Sequence, residues 1–216
     1  MEILYGLKEL NSLSKSNTAV VFGSSFNPPH IGHLVILNHA VNYFSADFYI
    51  VPTKTPPHKT LYVPFEKRFD WAIKTFRVFE ESNVFLTDIE RHIAGVNYAM
   101  HNVEYFLKYY EKVVLLVGED ALGNIELWYK YDELLRKSQL AVYPRTRDGR
   151  LYRRGRDVLG ELYKSVIELD FPIVEISSSE IRKCVREGKT ITGLVPKEIE
   201  TDVIGVYKVV EEGDRW

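Results

Sequence analysis

Two histidines, His30 and His33, flank Gly32 in the stretch VVFGSSFNPPHIGHLVILNHAV. This stretch leads from an apolar β-type run through a Gly-Ser-Ser turn and a Pro-Pro pair into an apolar-periodic helix. Three-residue spacing at a helix start lets both imidazoles face one point, while Gly32 leaves room between them. Free backbone N–H groups and the helix dipole favour negative charge there. Gly23 lets the backbone approach a ligand at the carboxyl end of a strand, where open parallel sheets bind nucleotides, and Ser24 and Ser25 add hydroxyls and amides. Two imidazoles so placed could ligate zinc, could be purely structural, or could donate N–H to phosphate oxygens on which charge develops. Zinc would need further ligands, and the sequence offers neither an HExxH pattern nor a cysteine partner. The third use fits best.

A second phosphate-type segment lies far downstream, in VEISSSEIRKCVREGK. Ser177, Ser178 and Ser179 followed by Glu180 form a helix-start signal, and Arg182 falls on the first turn. Three hydroxyls, free amides and a guanidinium make a polyphosphate cradle. In isolation the same residues also fit an ordinary capped helix with a solvent-facing arginine. The histidine segment upstream tips the reading toward the cradle.

The pair of segments resembles the nicotinate-nucleotide adenylyltransferase family, within the nucleotidyltransferase superfamily marked by His-x-Gly-His. The family carries Gly-x-Phe-Asp/Asn-Pro-x-His-x-Gly-His early and Ile-Ser-Ser-Thr/Ser-x-Ile-Arg late. Further matches follow in order: TKTPPHK at Thr53 to Lys59, VGEDAL at Val117 to Leu122, LWYKYDELL at Leu127 to Leu135, and the Leu-Val-Pro ending at Pro196. The resemblance runs from about Thr18 to Tyr207. Departures occur at Ser24, where a second Gly is common, at Asn27 for Asp and at Ser179 for Thr. Asn97, Tyr98 and Ala99 replace a Ser-Tyr-Thr segment whose backbone holds the pyridine substituent. That last change leaves nicotinamide mononucleotide as an alternative or additional substrate.

The resemblance implies adenylyl transfer from ATP to nicotinate mononucleotide, giving deamido-NAD and pyrophosphate. On this basis His30, His33 and Arg182 are the expected catalytic residues. Gly23, Ser24, Phe26, Gly118, Asp120, Ser178 and Ser179 are expected around ATP. Lys59, Tyr98 and Trp128 are expected around the pyridine mononucleotide, with core packing as the lesser reading of Trp128. Lys54, His58 and Arg145 are lesser candidates, and His39, His92 and His101 read as structural or surface residues. Magnesium is expected to ride on the ATP phosphates, with no protein side chain as ligand.

These residues need a scaffold that brings strand ends together. Apolar runs at Thr18 to Phe22, Asp47 to Val51, Val84 to Ile89, Val113 to Val117, Gln139 to Tyr143 and Val166 to Leu169 alternate with helical patterns. Phe65, Phe69, Ala72, Phe76 and Phe79 recur at helical spacing, as do Ile199, Val203, Val206 and Val210. The pattern predicts an α/β, Rossmann-like, doubly wound sheet of five or six mostly parallel strands with helices on both faces. Ile3, Leu4, Leu7 and Leu10 read as a short helix, so the expected division is an N-terminal helical extension, 1–17, and one nucleotidyltransferase domain, 18–216. Arg145, Arg147, Arg150, Arg153, Arg154 and Arg156 crowd around Gly149 and Gly155, a pattern read as a mobile basic loop. It could be a solvated surface, a lid over substrate phosphates, or the grip of a non-catalytic RNA- or partner-binding module.

Composition narrows the classes. The chain has 216 residues, with 45% hydrophobic and 27% charged, enough apolar mass for one sizeable core and too much for general disorder. A net charge of −2 argues against binding nucleic acid through a broad basic surface but leaves small anions open. The lone Cys184 suits a reducing compartment. No apolar run approaches the roughly 20 residues of a membrane span, and the first residues lack a secretion signal. The resulting expectation is a cytoplasmic enzyme, free to act alone or as a homo-oligomer.

Overall fold

The computed structural model describes residues 1–6, 10, 16–57 and 60–209. Short runs rich in Val, Ile, Leu and Tyr form seven parallel strands: β1 Glu2–Leu4, β2 Thr18–Ser24, β3 Asp47–Pro52, β4 Val84–Thr87, β5 Lys112–Gly118, β6 Gln139–Tyr143 and β7 Val166–Glu168. All six residues of β3 and all four of β4 are buried, as expected of strands covered on both faces. The order across the sheet is β1-β4-β3-β2-β5-β6-β7. The sheet is therefore wound one way from β2 through β3 to β4 and the other way from β5 to β7. Its topological switch point lies between β2 and β5, where ligands bind in such sheets.

The helices are α1 Ile31–Tyr43, α2 Phe65–Phe76, α3 Ala99–Phe106, α4 Glu119–Leu122, α5 Tyr131–Lys137, α6 Arg150–Leu159, α7 Ser178–Arg186 and α8 Lys197–Val209. Alternation along the strands sorts the core into two layers. Val20 and Phe22 of β2 face α1 and α2, packing with Phe26, Leu37, Phe69, Ala72 and Phe76. Ala19 and Val21 face the other layer, with Val103 and Phe106 of α3 and Leu134 and Leu135 of α5. A third cluster joins α7 and α8 to Trp71 on α2 and to Val63 just before it. There the indole of Trp71 donates to Asp202 Oδ2 at 2.7 Å, and Lys67 pairs with the same carboxylate at 3.0 Å.

Three expectations are corrected. Among the described residues the sheet has seven strands instead of five or six. Ile3 and Leu4 do not form a helical turn: they belong to an edge strand in register with β4, Ile3 opposite Leu86 and Leu4 opposite Thr87. The two side chains enter opposite core layers, which is a strand's period of two and not a helix's. Leu7, and Val210 at the far end, lie outside the described residues. Finally, most of the arginine-rich stretch is helical, since α6 covers Arg150–Leu159. It docks through Gly155, where an added Cβ would come within 2.6 Å of Leu122 on α4.

Candidate active site

Strands β2 and β5 pair only as far as Val21 and Leu115, although they run on to Ser24 and Gly118. Beyond that register they part, and a cleft of about 300 Å³ opens. Val21 and Gly23, two apart on one strand, both line it, so a side chain at position 23 would project into this space. Leu115 and Val117 form the opposite strand wall. The remaining walls are Ser24 and Ser25, the loop from Thr53 to Pro57, Glu90, Asn97, Tyr98, Asn102 and the Trp128–Tyr129 pair. Tyr98 and Tyr129 stack face to face at 4.5 Å between ring centroids, so two elements remote in sequence close one end.

His30 and His33 lie beside this cleft, on the α1 face of the sheet. Their rings sit 3.7 Å apart between centroids and 30° from parallel. The His30 backbone N–H donates to His33 Nδ1 at 3.1 Å, and the His33 N–H donates to the His30 carbonyl at 2.9 Å. Since Nδ1 of His33 accepts, its proton resides on Nε2, which becomes the available donor. Phe26, fully buried in a left-handed conformation (φ 45°), meets the His33 ring edge-on at 4.9 Å and fixes it from below. Its side chain thus supports a histidine instead of forming a ligand wall. Gly32 is required sterically, because a Cβ there would lie 2.9 Å from His30 Nδ1 and 3.0 Å from Val174.

Burial and the Arg145 guanidinium hold the His30 imidazole at about 3, and burial, His30 and Arg145 hold His33 well below its usual value. Both rings are neutral at neutral pH, each with one N–H to give. Arg145 lines the same small recess as the pair, with Tyr143, Val174 and Ile176. Buried Glu119 places it by accepting the Thr146 N–H one residue on.

The serine segment arrives against the loop that carries the histidines. Ser177 caps α7, its hydroxyl accepting the Glu180 N–H at 3.1 Å, so the amides of Ser178 and Ser179 stay free at the helix end. The Ser178 hydroxyl donates to the Pro28 carbonyl at 2.7 Å, which leaves its backbone N–H for a ligand. Arg182 donates to the Asn27 carbonyl at 2.7 Å and to Ser179 Oγ at 3.1 Å, keeping further guanidinium donors. Asn27 is held in turn by the Tyr207 hydroxyl at 2.6 Å, and the first amide of α1, Ile31, bonds the Leu194 carbonyl at 2.9 Å. Helices α7 and α8 are therefore bolted to the histidine loop.

The structure brings Gly23, Ser24, His30, His33, Ser178, Ser179 and Arg182 to the carboxyl ends of β2 and β5. Gly118 ends β5, and a Cβ on it would come within 2.5 Å of Asp120 Oδ1 and 3.4 Å of Arg145 Cγ. Asp120 itself is exposed at the start of α4. Tyr98 and Trp128 line the cleft, whereas Lys59 and His58 lie outside the described residues. Sequence reasoning passed over Arg68, Glu90 and Glu119, all buried. Arg68 bonds the carbonyls of Ser25 at 2.6 Å, Thr53 at 2.7 Å and Val63 at 3.1 Å, tying the β2 and β3 loops together. A charged residue amid aromatics in FEKRFDW was its only signal. Of the arginine-rich stretch, Arg150, Arg154 and Arg156 pair with Asp148, Glu126 and Glu168. Among the described residues no three His, Cys, Asp or Glu side chains converge as a metal site, and no helix is long and apolar enough to cross a membrane.

A parallel sheet split at its switch point, with paired imidazoles and a helix N-terminus gathered on the loop that follows β2, defines the nucleotidyltransferase class. In agreement, residues 21–184 match the family described as Cytidylyltransferase-like. The chain is 61% identical over 213 residues to a Fervidobacterium nodosum protein named "Probable nicotinate-nucleotide adenylyltransferase", covering 96% of this chain and 99% of that one. A Thermotoga maritima protein of the same name is 43% identical, covering 92% and 97%. The fold is also that of the Plasmodium falciparum nicotinic acid mononucleotide adenylyltransferase solved in complex with NaAD, with a TM-score of 0.69 at 19% identity over 90% of this chain and 97% of that one. The chain belongs to the nicotinate-nucleotide adenylyltransferase family.

Proposed function

We propose that this protein transfers the adenylyl group of ATP to nicotinate mononucleotide, releasing pyrophosphate and forming deamido-NAD. The observation that carries the reading is the pair of neutral, close-set imidazoles on the loop after β2, to which the N-terminus of α7 is tied through Ser178 and Arg182. The names of the close relatives point to nicotinate over nicotinamide.

An oxygen of the mononucleotide phosphate attacks the α-phosphorus of ATP, the bond to the bridging β-phosphate oxygen breaks, and pyrophosphate departs with the electron pair. A phosphate monoester with a second pKa near 6 is ionised at neutral pH, so no general base is required. The protein's task is to align two polyanions and absorb charge that grows on the transferring and leaving groups. Neutral His33 offers Nε2–H to the α-phosphate, and His30 stands beside it. Ser178 and Ser179, through backbone amides, and Arg182 receive the β- and γ-phosphates. Gly23, Ser24, Gly118 and Asp120 border the adenosine, with Asp120 as ribose-hydroxyl acceptor and Phe26 contributing through His33. Tyr98 and Trp128 contact the pyridine ring, and Lys59 pairs with the mononucleotide phosphate. This donor set of N–H, O–H and guanidinium groups suits phosphate oxygens, so magnesium enters as part of the MgATP substrate.

The test is pyrophosphate release from ATP and magnesium with nicotinate and nicotinamide mononucleotides in parallel. The expected result is release with nicotinate mononucleotide at a kcat/KM well above that for the amide. Equal or reversed preference would overturn the substrate assignment, and no release with either would overturn the reaction.

A further inference from the structure

Glu90 has no role in the chemistry above, yet its carboxyl is buried in the cleft wall. It sits in the short 3-10 turn Ile89–His92 after β4, with 3% of its surface exposed. Its two oxygens serve two different walls. Oε2 accepts the backbone N–H of Lys54 at 3.0 Å, in the loop that follows β3, and Oε1 accepts Asn102 Nδ2 at 2.8 Å, on α3. A parallel tie runs through Asn97, which exchanges two bonds with Thr55: its Oδ1 accepts the Thr55 N–H at 2.8 Å and its N–H donates to the Thr55 carbonyl at 2.9 Å. The Asn97 amide also reaches the Glu90 carbonyl at 3.4 Å.

The Lys54 backbone is thus held at both of its polar groups, its N–H by Glu90 and its carbonyl by Arg68 at 3.3 Å. Asn102 Oδ1 is buried without a partner, so Glu90 alone sets the orientation of that amide. Burial raises the Glu90 carboxyl to about 7, against the opposing pull of its bonds to Asn102 and Lys54 and of the Arg68 charge. A carboxyl kept in so costly a place, bonded only to the two walls of one cleft, is a spacer between them.

We infer that Glu90 is a positioning residue: by joining the Thr53–Pro57 loop to α3, it fixes the width of the cleft on the side where Tyr98 and Trp128 receive the pyridine mononucleotide. The inference rests on the proposed function for the identity of the ligand. Removing the spacer leaves the histidine pair and α7 untouched, since none of its bonds reach them. The loss should therefore appear in capture of the mononucleotide and not in use of ATP.

The experiment compares wild type, Glu90→Ala and Glu90→Gln in steady-state pyrophosphate release, varying ATP and nicotinate mononucleotide separately. The expected result for Glu90→Ala is a mononucleotide KM raised tenfold or more, with kcat and the ATP KM within about twofold. Glu90→Gln should return the mononucleotide KM to within about threefold of wild type. Its carbonyl can still accept from Lys54, and a turned Asn102 amide can offer Oδ1 to its N–H. If Glu90→Ala does not fold, Asn102→Ala removes one of the two ties and should raise the same KM. An unchanged mononucleotide KM, or a parallel loss in both KM values and kcat, overturns the inference while leaving the reaction standing. A wild-type protein that releases no pyrophosphate overturns the functional reading, and this inference with it.

Discussion

At the scale of single residues, the site works through protonation states that burial enforces. His33 can donate from Nε2 because its Nδ1 is occupied by a backbone N–H and its ring is kept neutral by desolvation. Replacing it by alanine removes one preorganised donor to developing charge, a change that costs about 3 kcal/mol, or 10²–10³ in kcat. The measurement is kcat at saturating ATP and mononucleotide, with circular dichroism to show that the fold persists. Full turnover in His33→Ala would rule the assignment out. The residues proposed to carry this chemistry are legible in the sequence because they are contiguous: His-Ile-Gly-His and Ser-Ser-Ser-Glu-Ile-Arg are local signals of helix starts. Glu90, Arg68 and Glu119 are not, because each acts through bonds to loops remote in the chain.

Among elements, the docking of α6 shows how tertiary context overrides composition. Arg150, Arg153, Arg154 and Arg156 suggest a solvated loop, yet Leu151, Gly155 and Leu159 recur every four residues and form the stripe that packs on α4 and the core. Gly155 is the point of closest approach, since a Cβ would meet Leu122 at 2.6 to 3.0 Å. Gly155→Ala should overpack this contact and cost about 1–3 kcal/mol despite alanine's higher helix propensity. The expected fall in Tm is about 2–4 °C per kcal/mol for a chain of this size, read by thermal denaturation. A raised Tm would mean that α6 does not bear on α4. The misread N-terminal segment has a similar origin. Ile3 and Leu4 are compatible with helix or strand over so short a run, and pairing with β4, about 80 residues away, decides between them.

For the molecule as a whole, the buried ionisable groups set opposing pH dependences. His30 and His33 are held neutral in the fold, so below pH 6.5, and down to about 3 for His30, the unfolded chain binds protons that the folded chain refuses. Stability from these two groups is present above 6.5 and is lost as pH falls, by about 1.4 kcal/mol per pH unit for each histidine fully titrating in the unfolded state. Glu90 acts in the other sense. Its folded value near 7 exceeds the ordinary 4.5, so its contribution is full below 4.5 and is lost as pH rises to 7. Two histidine terms outweigh one carboxyl term, and net stability should fall between pH 6.5 and 4.5. Urea midpoints across that range test this. Glu90→Gln should steepen the decline, and His30→Asn should flatten it.

The sequence by itself determined the alternation of strands and helices, the two helix starts to which we assign phosphate binding, and the family, since all of these are written in local periodicity and short contiguous motifs. Only the tertiary structure decided that β1 joins the sheet, that α6 is a docked helix, and that β2 and β5 part beyond Val21 and Leu115 to open the cleft. It also decided which buried charges hold that cleft in shape. Strand pairing, helix docking and the satisfaction of a buried carboxyl depend on partners brought from far along the chain, and no local pattern records them.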